Sequence, residues 1–198
     1  MAEHKLTLNR REAVARILTD RGDALLITGL GSPTWDVAAA GDHPNNFYLW
    51  GAMGGAAVMG LGLALAQPRR RVLVITGDGE MVLGLGALAT IAVAAPGNLA
   101  VCVIDNERYG ETGMQEGHTA AGVDLVGMAA MAGWPTTACA WTEEELEALV
   151  PAIHSEPGPV FATVKVNADP VPLVMPPRDG TALRSRFRQA LLGEKAFE

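Results

Sequence analysis

Aromatic residues are scarce, at 5% of 198 positions, and charged residues make up only 19%. Basic residues are few: 15 Lys and Arg against 22 Asp and Glu leave a net charge of −7. That balance excludes a broad nucleic-acid footprint, which needs Lys and Arg clustered on one face. The two cysteines, Cys102 and Cys139, form no CxxC pair. A disulfide scaffold is therefore excluded, and a reduced, cytoplasmic setting is the expectation. The start, Met1-Ala2-Glu3-His4-Lys5, lacks the basic stretch and apolar run of an export signal. One apolar run, residues 49–66, reaches the 18 residues at which a membrane span must be weighed. Five of those are glycine (51, 54, 55, 60 and 62), which fits a helix packed closely on a sheet. No membrane partner is expected.

Hydrophobic residues are plentiful at 49%, and there are 23 glycines. The length suits one compact domain that hides roughly 70% of its unfolded surface. Strand-like and helical segments alternate. Asn9 and Glu12 read as a capping box that opens a helix carrying Val14, Ile17 and Leu18. Residues 24–28 form a strand that ends in Gly29-Leu30-Gly31-Ser32-Pro33, with a helix from about Thr34. Residues 46–50 are a second strand, followed by a small-residue helix at 54–66. The run 71–76 is the clearest strand, and its β-branched residues suit burial on both faces. A helix over 81–94, a strand at 99–104 and a glycine-rich loop at 107–122 follow. Then come a helix at 125–132, a strand at 136–140, a Thr142/Glu145 capping box opening a helix to 153, and a strand at 160–166. Residues 170–177 hold four prolines and read as an extended crossing segment before a helix at 181–192. The pattern is an α/β domain with a mainly parallel sheet and helices on both faces, which binds ligands at the carboxyl ends of its strands. The units are 1–169 for that domain and 170–198 for the crossing segment and last helix.

Three glycine turns follow strands: residues 29–33, 51–55 and 77–79. Such turns let backbone amides approach an anion, so a phosphorylated ligand is expected. The dinucleotide fingerprint is incomplete, because Gly29-Leu30-Gly31-Ser32-Pro33-Thr34 lacks its third glycine. Asp78 lies in the middle of Gly77-Asp78-Gly79. A carboxylate aimed at phosphate repels it unless a metal lies between, although Asp-Gly is also an ordinary turn pair. Asp105-Asn106, ending the neighbouring strand, adds hard oxygen ligands of the type Mg²⁺ takes beside phosphates.

Gly77-Asp78-Gly79, then 26 residues, then Asn106 resembles the thiamine-diphosphate motif, which opens with GDG and ends in asparagine, usually NN. Asp105 replaces the first asparagine. Gly51-Ala52-Met53-Gly54 is similar to the turn that presents a large apolar residue beneath the cofactor. Residues 46–54, 86–91 and 105–115 resemble the subfamily of sulfopyruvate- and phosphonopyruvate-type decarboxylases. The likeness spans nearly the whole chain and implies a stand-alone diphosphate-binding (PP) domain.

The resemblance implies that Asp78 and Asn106 bind Mg²⁺ through side-chain oxygens and Arg108 through its backbone carbonyl. It places backbone amides of Gly79 and Glu80, and of Gly31 and Ser32, on the diphosphate of thiamine diphosphate. Gly77, Ala52 and Tyr109 complete the cofactor contacts. Met53 would hold the cofactor's rings in a V, and the Gly51 carbonyl would accept from its 4′-amino group; Met53 as core filler is the plain alternative. Glu111 and Gln115 face substrate or solvent, and His118 is an acid–base candidate or an exposed loop residue. His4, His43 and His154 show no partner, and Cys102 is an inert core thiol. Arg184, Arg186 and Arg188 form a solvated face or a basic patch. The implied activity is decarboxylation of a small 2-oxo acid. In the family the activating glutamate lies on a pyrimidine-binding (PYR) domain, for which this length leaves no room. A PYR-domain α subunit is therefore expected, in an α2β2 or larger hetero-oligomer. A carboligase of the acetolactate synthase type, a non-catalytic assembly subunit and a plain dinucleotide-binding domain are the alternatives.

Overall fold

The computed structural model describes residues 6–197. Six parallel strands form one sheet in the order β2-β1-β3-β4-β8-β7. They are β1 (Leu25–Thr28), β2 (Asn46–Tyr48), β3 (Val72–Gly77), β4 (Leu99–Asp105), β7 (Thr136–Ala140) and β8 (Val160–Lys165). A second, two-stranded antiparallel ribbon pairs β5 (Arg108–Tyr109) with β6 (Gln115–Glu116). Every residue of β1, β4 and β8 is buried, as strands covered on both faces require.

Alternation along the strands feeds two separate apolar layers. Leu26, Leu73, Ile75, Ala100, Cys102, Ala162 and Val164 face one layer, with α1 (Arg10–Leu18), α2 (Ser32–Ala39) and α7 (Glu143–Ser155). Leu25, Ile27, Val72, Val74, Val101, Val103 and Phe161 face the other, with α3 (Ala56–Ala66), α5 (Gly86–Ala94) and α6 (Leu125–Ala132). The glycines of α3 explain how closely it lies: a Cβ at Gly60 would stand 2.3 Å from Val74 Cγ2. The apolar run at 49–66 is thus a turn and an 11-residue core helix. No described helix is long and apolar enough to cross a membrane.

Helix α8 (Gly180–Leu192) packs beside the short edge strand β2, burying Leu183 and Phe187. Arg186 pairs with Asp42 and donates to the Asn46 carbonyl, and Arg188 donates to the Ala196 carbonyl. Those two arginines are therefore fold contacts and not a purely solvated face.

Several boundaries differ from expectation. Asn9 caps α1 by accepting from the Arg11 and Glu12 amides, but the return half of the box does not form. The Thr142/Glu145 box forms in full. The helix expected over 81–94 is two helices, α4 (Asp78–Leu83) and α5, broken at Gly84-Leu85. Its first turn begins three residues early, at Asp78. The break is tertiary in origin: the turn at Gly54 presses on Gly84, where a Cβ would lie 2.4 Å from the Gly54 carbonyl oxygen. The loop at 107–122 is also more ordered than a plain loop, because β5 and β6 pair within it.

Candidate functional site

The sheet changes direction of progression at β1: the chain steps from β1 outward to β2, then returns to β3 on the other side. A crevice opens at the carboxyl ends of strands at such a point. A cavity of about 120 Å³, open to solvent on one side, lies there. Leu30, Gly31 and Ser32 line it after β1, Gly77-Asp78-Gly79-Glu80 after β3, and Asn106, Arg108 and Tyr109 after β4, with Met53 at its edge. The site residues expected from sequence thus converge, apart from Gly51 and Ala52, which lie on the exposed turn carrying Met53. Met53 is 41% exposed, so it is not core filler.

Strand register brings the acids together. Gly77 stands opposite Ile104, so Asp78 and Asp105 are neighbours at adjacent strand ends. The Thr119 hydroxyl lies between them, 2.8 Å from Asp105 Oδ1 and 3.2 Å from Asp78 Oδ2. Asp105 Oδ1 also accepts from the Glu107 amide, and Asn106 Oδ1 from the Arg108 amide, each at 3.0 Å. These Asx bonds turn the chain sharply after β4, with Glu107 at φ +60°. Arg108 then pairs with Glu116 across the ribbon at 3.1 Å. Gly117 packs tightly here: a Cβ would stand 2.9 Å from Asp78 Oδ2 and 3.3 Å from the Glu107 backbone.

Burial pushes the Asp78 carboxyl up to about 7, and the charge of Asp105 adds to the rise. Asp78 is therefore about half protonated at neutral pH. A divalent cation taken by Asp78 must displace that proton. At pH 6 cation binding is expected to release close to one proton, and apparent affinity to fall about ten-fold per pH unit below about 7. Titration calorimetry in two buffers of different ionisation heat reads this directly. Equal heats in both buffers at pH 6 would refute it.

Glu80 is turned inward. Its Oε2 accepts from the Thr76 hydroxyl at 2.8 Å and from the Leu30 amide at 3.4 Å. Burial raises its carboxyl, while the amides of Leu30, Gly54 and Ala56 oppose the rise. This one side chain ties the turns after β1 and β3 to the turn that carries Met53. Gly29 makes the room, since a Cβ there would lie 1.7 Å from Glu80 Oε2.

The far wall comes from the loop after β4. The Tyr109 ring lies against Gly79, where a Cβ would meet it at 2.5 Å. Its hydroxyl meets His118 Nδ1 at 2.7 Å, so His118 is partnered. Glu111 Oε1 accepts from Trp35 Nε1 at 3.1 Å and covers Gly31. The Gln115 side chain bonds within its loop, to Thr112. Among the other singled-out residues, His43 accepts from the Asn45 amide, and His154 meets the Ile17 carbonyl. His4 lies outside the described residues. Burial raises the Cys102 thiol to about 12, in keeping with an inert core residue.

Sequence reasoning missed four contributors. Arg10 and Arg11 hold buried Asp36, and Arg10 also donates to the Ser32 carbonyl at 3.2 Å, fixing the first turn. Thr119 and Lys165 support the acidic turn. Lys165 alone gave a signal, as a charged residue closing an apolar run.

The candidate donors are all oxygen: the Asp78 carboxylate, the Asn106 carboxamide and the Arg108 carbonyl, beside a glycine-walled cavity. That chemistry fits Mg²⁺ with a diphosphate. Among the described residues no group of three His, Cys, Asp or Glu gathers to hold a metal by itself.

The family model of the thiamine pyrophosphate enzymes' C-terminal TPP binding domain matches residues 31–164. Sulfopyruvate decarboxylase subunit beta of Methanothermobacter thermautotrophicus is 40% identical over 172 residues, 85% of this chain and 89% of that one. Phosphonopyruvate decarboxylase of Streptomyces viridochromogenes is 36% identical over 160 residues, 80% of this chain but 40% of the relative. The solved thiamine diphosphate-dependent 4-hydroxybenzoylformate decarboxylase of Rhodococcus jostii RHA1 shares the fold, with a TM-score of 0.69 at 19% identity over 83% of this chain and 34% of its own. With two thirds of its length matched by that model, the chain belongs to the thiamine pyrophosphate enzymes and carries their TPP-binding domain.

Proposed function

We propose that this chain is the diphosphate- and Mg²⁺-binding subunit of a thiamine-diphosphate-dependent 2-oxo acid decarboxylase, active with a PYR-domain partner subunit. The observation that carries it is the convergence of Asp78 and Asn106 at neighbouring strand ends over a glycine-walled cavity rimmed by Met53. Asp78 and Asn106 hold Mg²⁺ by side-chain oxygens and Arg108 by its carbonyl. The amides of Gly79 and Glu80, with those of Gly31 and Ser32 across the cavity, hold phosphate oxygens. Gly77 leaves the strand end open, and Tyr109 closes the wall over Gly79. Met53 props the rings, while the Gly51 carbonyl accepts from the 4′-amino group; Ala52 joins them in one turn. When bound, thiamine diphosphate supplies the electron sink for the carbanion left by loss of CO₂. The chain's own task is orientation and exclusion of water, which removes much of the entropic barrier.

The substrate class follows the relatives' names: a small 2-oxo acid bearing a sulfonate or phosphonate. The name "subunit beta" on the methanogen relative supports a partner. So does the helical face of α3, α5 and α6, whose 28 residues include no charged side chain. Val58, Leu65, Val93 and Met131 are exposed on it. A hetero-oligomer of α2β2 form or larger covers that face. Residues 1–169 form the PP domain proper, and 170–198 the crossing segment and last helix.

Calorimetry on the chain with its partner is expected to show thiamine diphosphate binding that needs Mg²⁺, and none of NAD. CO₂ release from sulfopyruvate or phosphonopyruvate is expected only with both subunits present. Binding of NAD in place of thiamine diphosphate would sink the cofactor assignment. Full activity of the chain alone would sink the partner, and acetolactate from pyruvate would make the enzyme a carboligase.

A further inference from the structure

Lys165 is one of three lysines in the chain. It ends β8, a strand with all six residues buried, and register sets it directly opposite Asp105. Its Nζ lies 2.9 Å from Asp105 Oδ2 and 2.7 Å from Glu107 Oε1. Its Nζ also lies over the Trp141 ring, 5.1 Å from the ring centroid. The Lys165 side chain is 10% exposed and that of Asp105 is 2% exposed, so the pair is shielded from solvent. Removing one member of such a pair leaves a buried charge uncompensated.

Asp105 has a second neighbour of its own sign. The Thr119 hydroxyl reaches both Asp105 and Asp78, and one hydroxyl proton cannot serve both carboxylates fully. Two acids this close repel unless something cancels one of them. The motif that this sequence resembles has a neutral asparagine where Asp105 stands. Glu107, the second carboxylate on Lys165, lies between Asn106 and Arg108 in the turn.

We propose that Lys165 is a positioning residue for the metal-holding turn. It cancels the charge of Asp105, so that the Asp105–Lys165 pair takes the place of a neutral asparagine. Through Glu107 it also pins the turn that presents Asn106 and the Arg108 carbonyl. This rests on the assignment of Asp78, Asn106 and Arg108 as the Mg²⁺ cradle.

The test is a double-mutant cycle on the full chain with its partner. Mg²⁺ affinity at saturating thiamine diphosphate is read by calorimetry, and melting is read without metal. Lys165→Met is expected to weaken Mg²⁺ binding about 10- to 100-fold, as lost support of a metal ligand does. Adding Asp105→Asn to Lys165→Met is expected to restore affinity to within about three-fold of the unaltered protein, a deficit the size of ordinary non-additivity. The metal-free double variant should also melt above the single one. A Lys165→Met protein that melts lower but binds Mg²⁺ normally would show a structural role alone and overturn the proposal. A double variant no better than Lys165→Met would do the same. If Lys165→Met does not fold, the double variant decides: it must fold and bind Mg²⁺ within the same range. Failure of the unaltered protein to bind Mg²⁺ and thiamine diphosphate would instead strike the proposed function. The metal-free melting comparison would still judge the charge pairing.

Discussion

Replacing Asp78 by Ala is expected to abolish Mg²⁺-dependent binding of thiamine diphosphate and to lower decarboxylation by about 10³-fold or more. The same substitution is expected to leave the metal-free chain at least as stable as before. Asp78 is 3% exposed, and its carboxyl is raised from 3.8 to about 7 by burial and by Asp105. Between those two values the folded chain holds a proton that the unfolded chain has released. Stability is thus greatest below about pH 4 for this group, and is lost as pH climbs to about 7. Above about 7 the folded chain carries a buried charge beside a second acid. Ala removes that burden, so the gain in melting temperature should be largest at alkaline pH. Scanning calorimetry with and without Mg²⁺ and thiamine diphosphate measures both halves. A variant that still gains stability from the cofactor would show that Asp78 does not hold the metal.

Gly84→Ala is expected to cost about 1–3 kcal/mol of stability, the usual range for overpacking a tight site. For a chain of this size that lowers the melting temperature by roughly 3–10 °C. The new methyl would stand 2.4 Å from the Gly54 oxygen and 3.0 Å from its Cα. Both are backbone atoms, so no side chain can swing aside. Gly54 is itself at φ +84° and follows Met53 directly. Pushing it outward moves the turn proposed to prop the cofactor, so the half-saturating thiamine diphosphate concentration should rise as well. Gly86→Ala is the control, because its Cβ would meet nothing within 4 Å. It should be neutral or slightly stabilising, since Ala suits a helix better than Gly. Equal melting of the two variants would show that the Gly54–Gly84 contact does not matter.

The fold was largely legible because its strands are buried on both faces. Nearly continuous β-branched runs such as 72–76 mark such strands without help from their neighbours. The glycine turns that line the cavity were legible for a related reason: glycine and aspartate at strand ends are local requirements of backbone approach and charge. What escaped was set by contacts between distant segments. The split between α4 and α5 depends on Gly54, thirty residues upstream. The role of Asp105 depends on register with β8, which nothing within residues 99–106 specifies. The site likewise joins Tyr109 to His118 through a ribbon whose two strands have two residues each. Strands that short carry no periodicity to find. Glu80 illustrates the mixture. Its backbone position follows from the motif, while its inward carboxylate follows from a space left by Gly29 in the turn after another strand.

The position of β8 between β4 and β7 has a consequence for the order of folding. β7 is made first, yet its neighbour in the sheet is β8. It cannot join until β8 has been made and inserted. As the chain emerges amino end first, the edge of β4 stays open while residues 106–159 follow. At about 5–20 residues per second that is roughly 3–10 s of synthesis. Lys165 arrives at the end of this interval, after each acid that it holds. A nascent chain that stops short of residue 160 therefore displays Asp105 and Glu107 without their tether, and the turn proposed to hold the metal is among the last parts of the domain to mature.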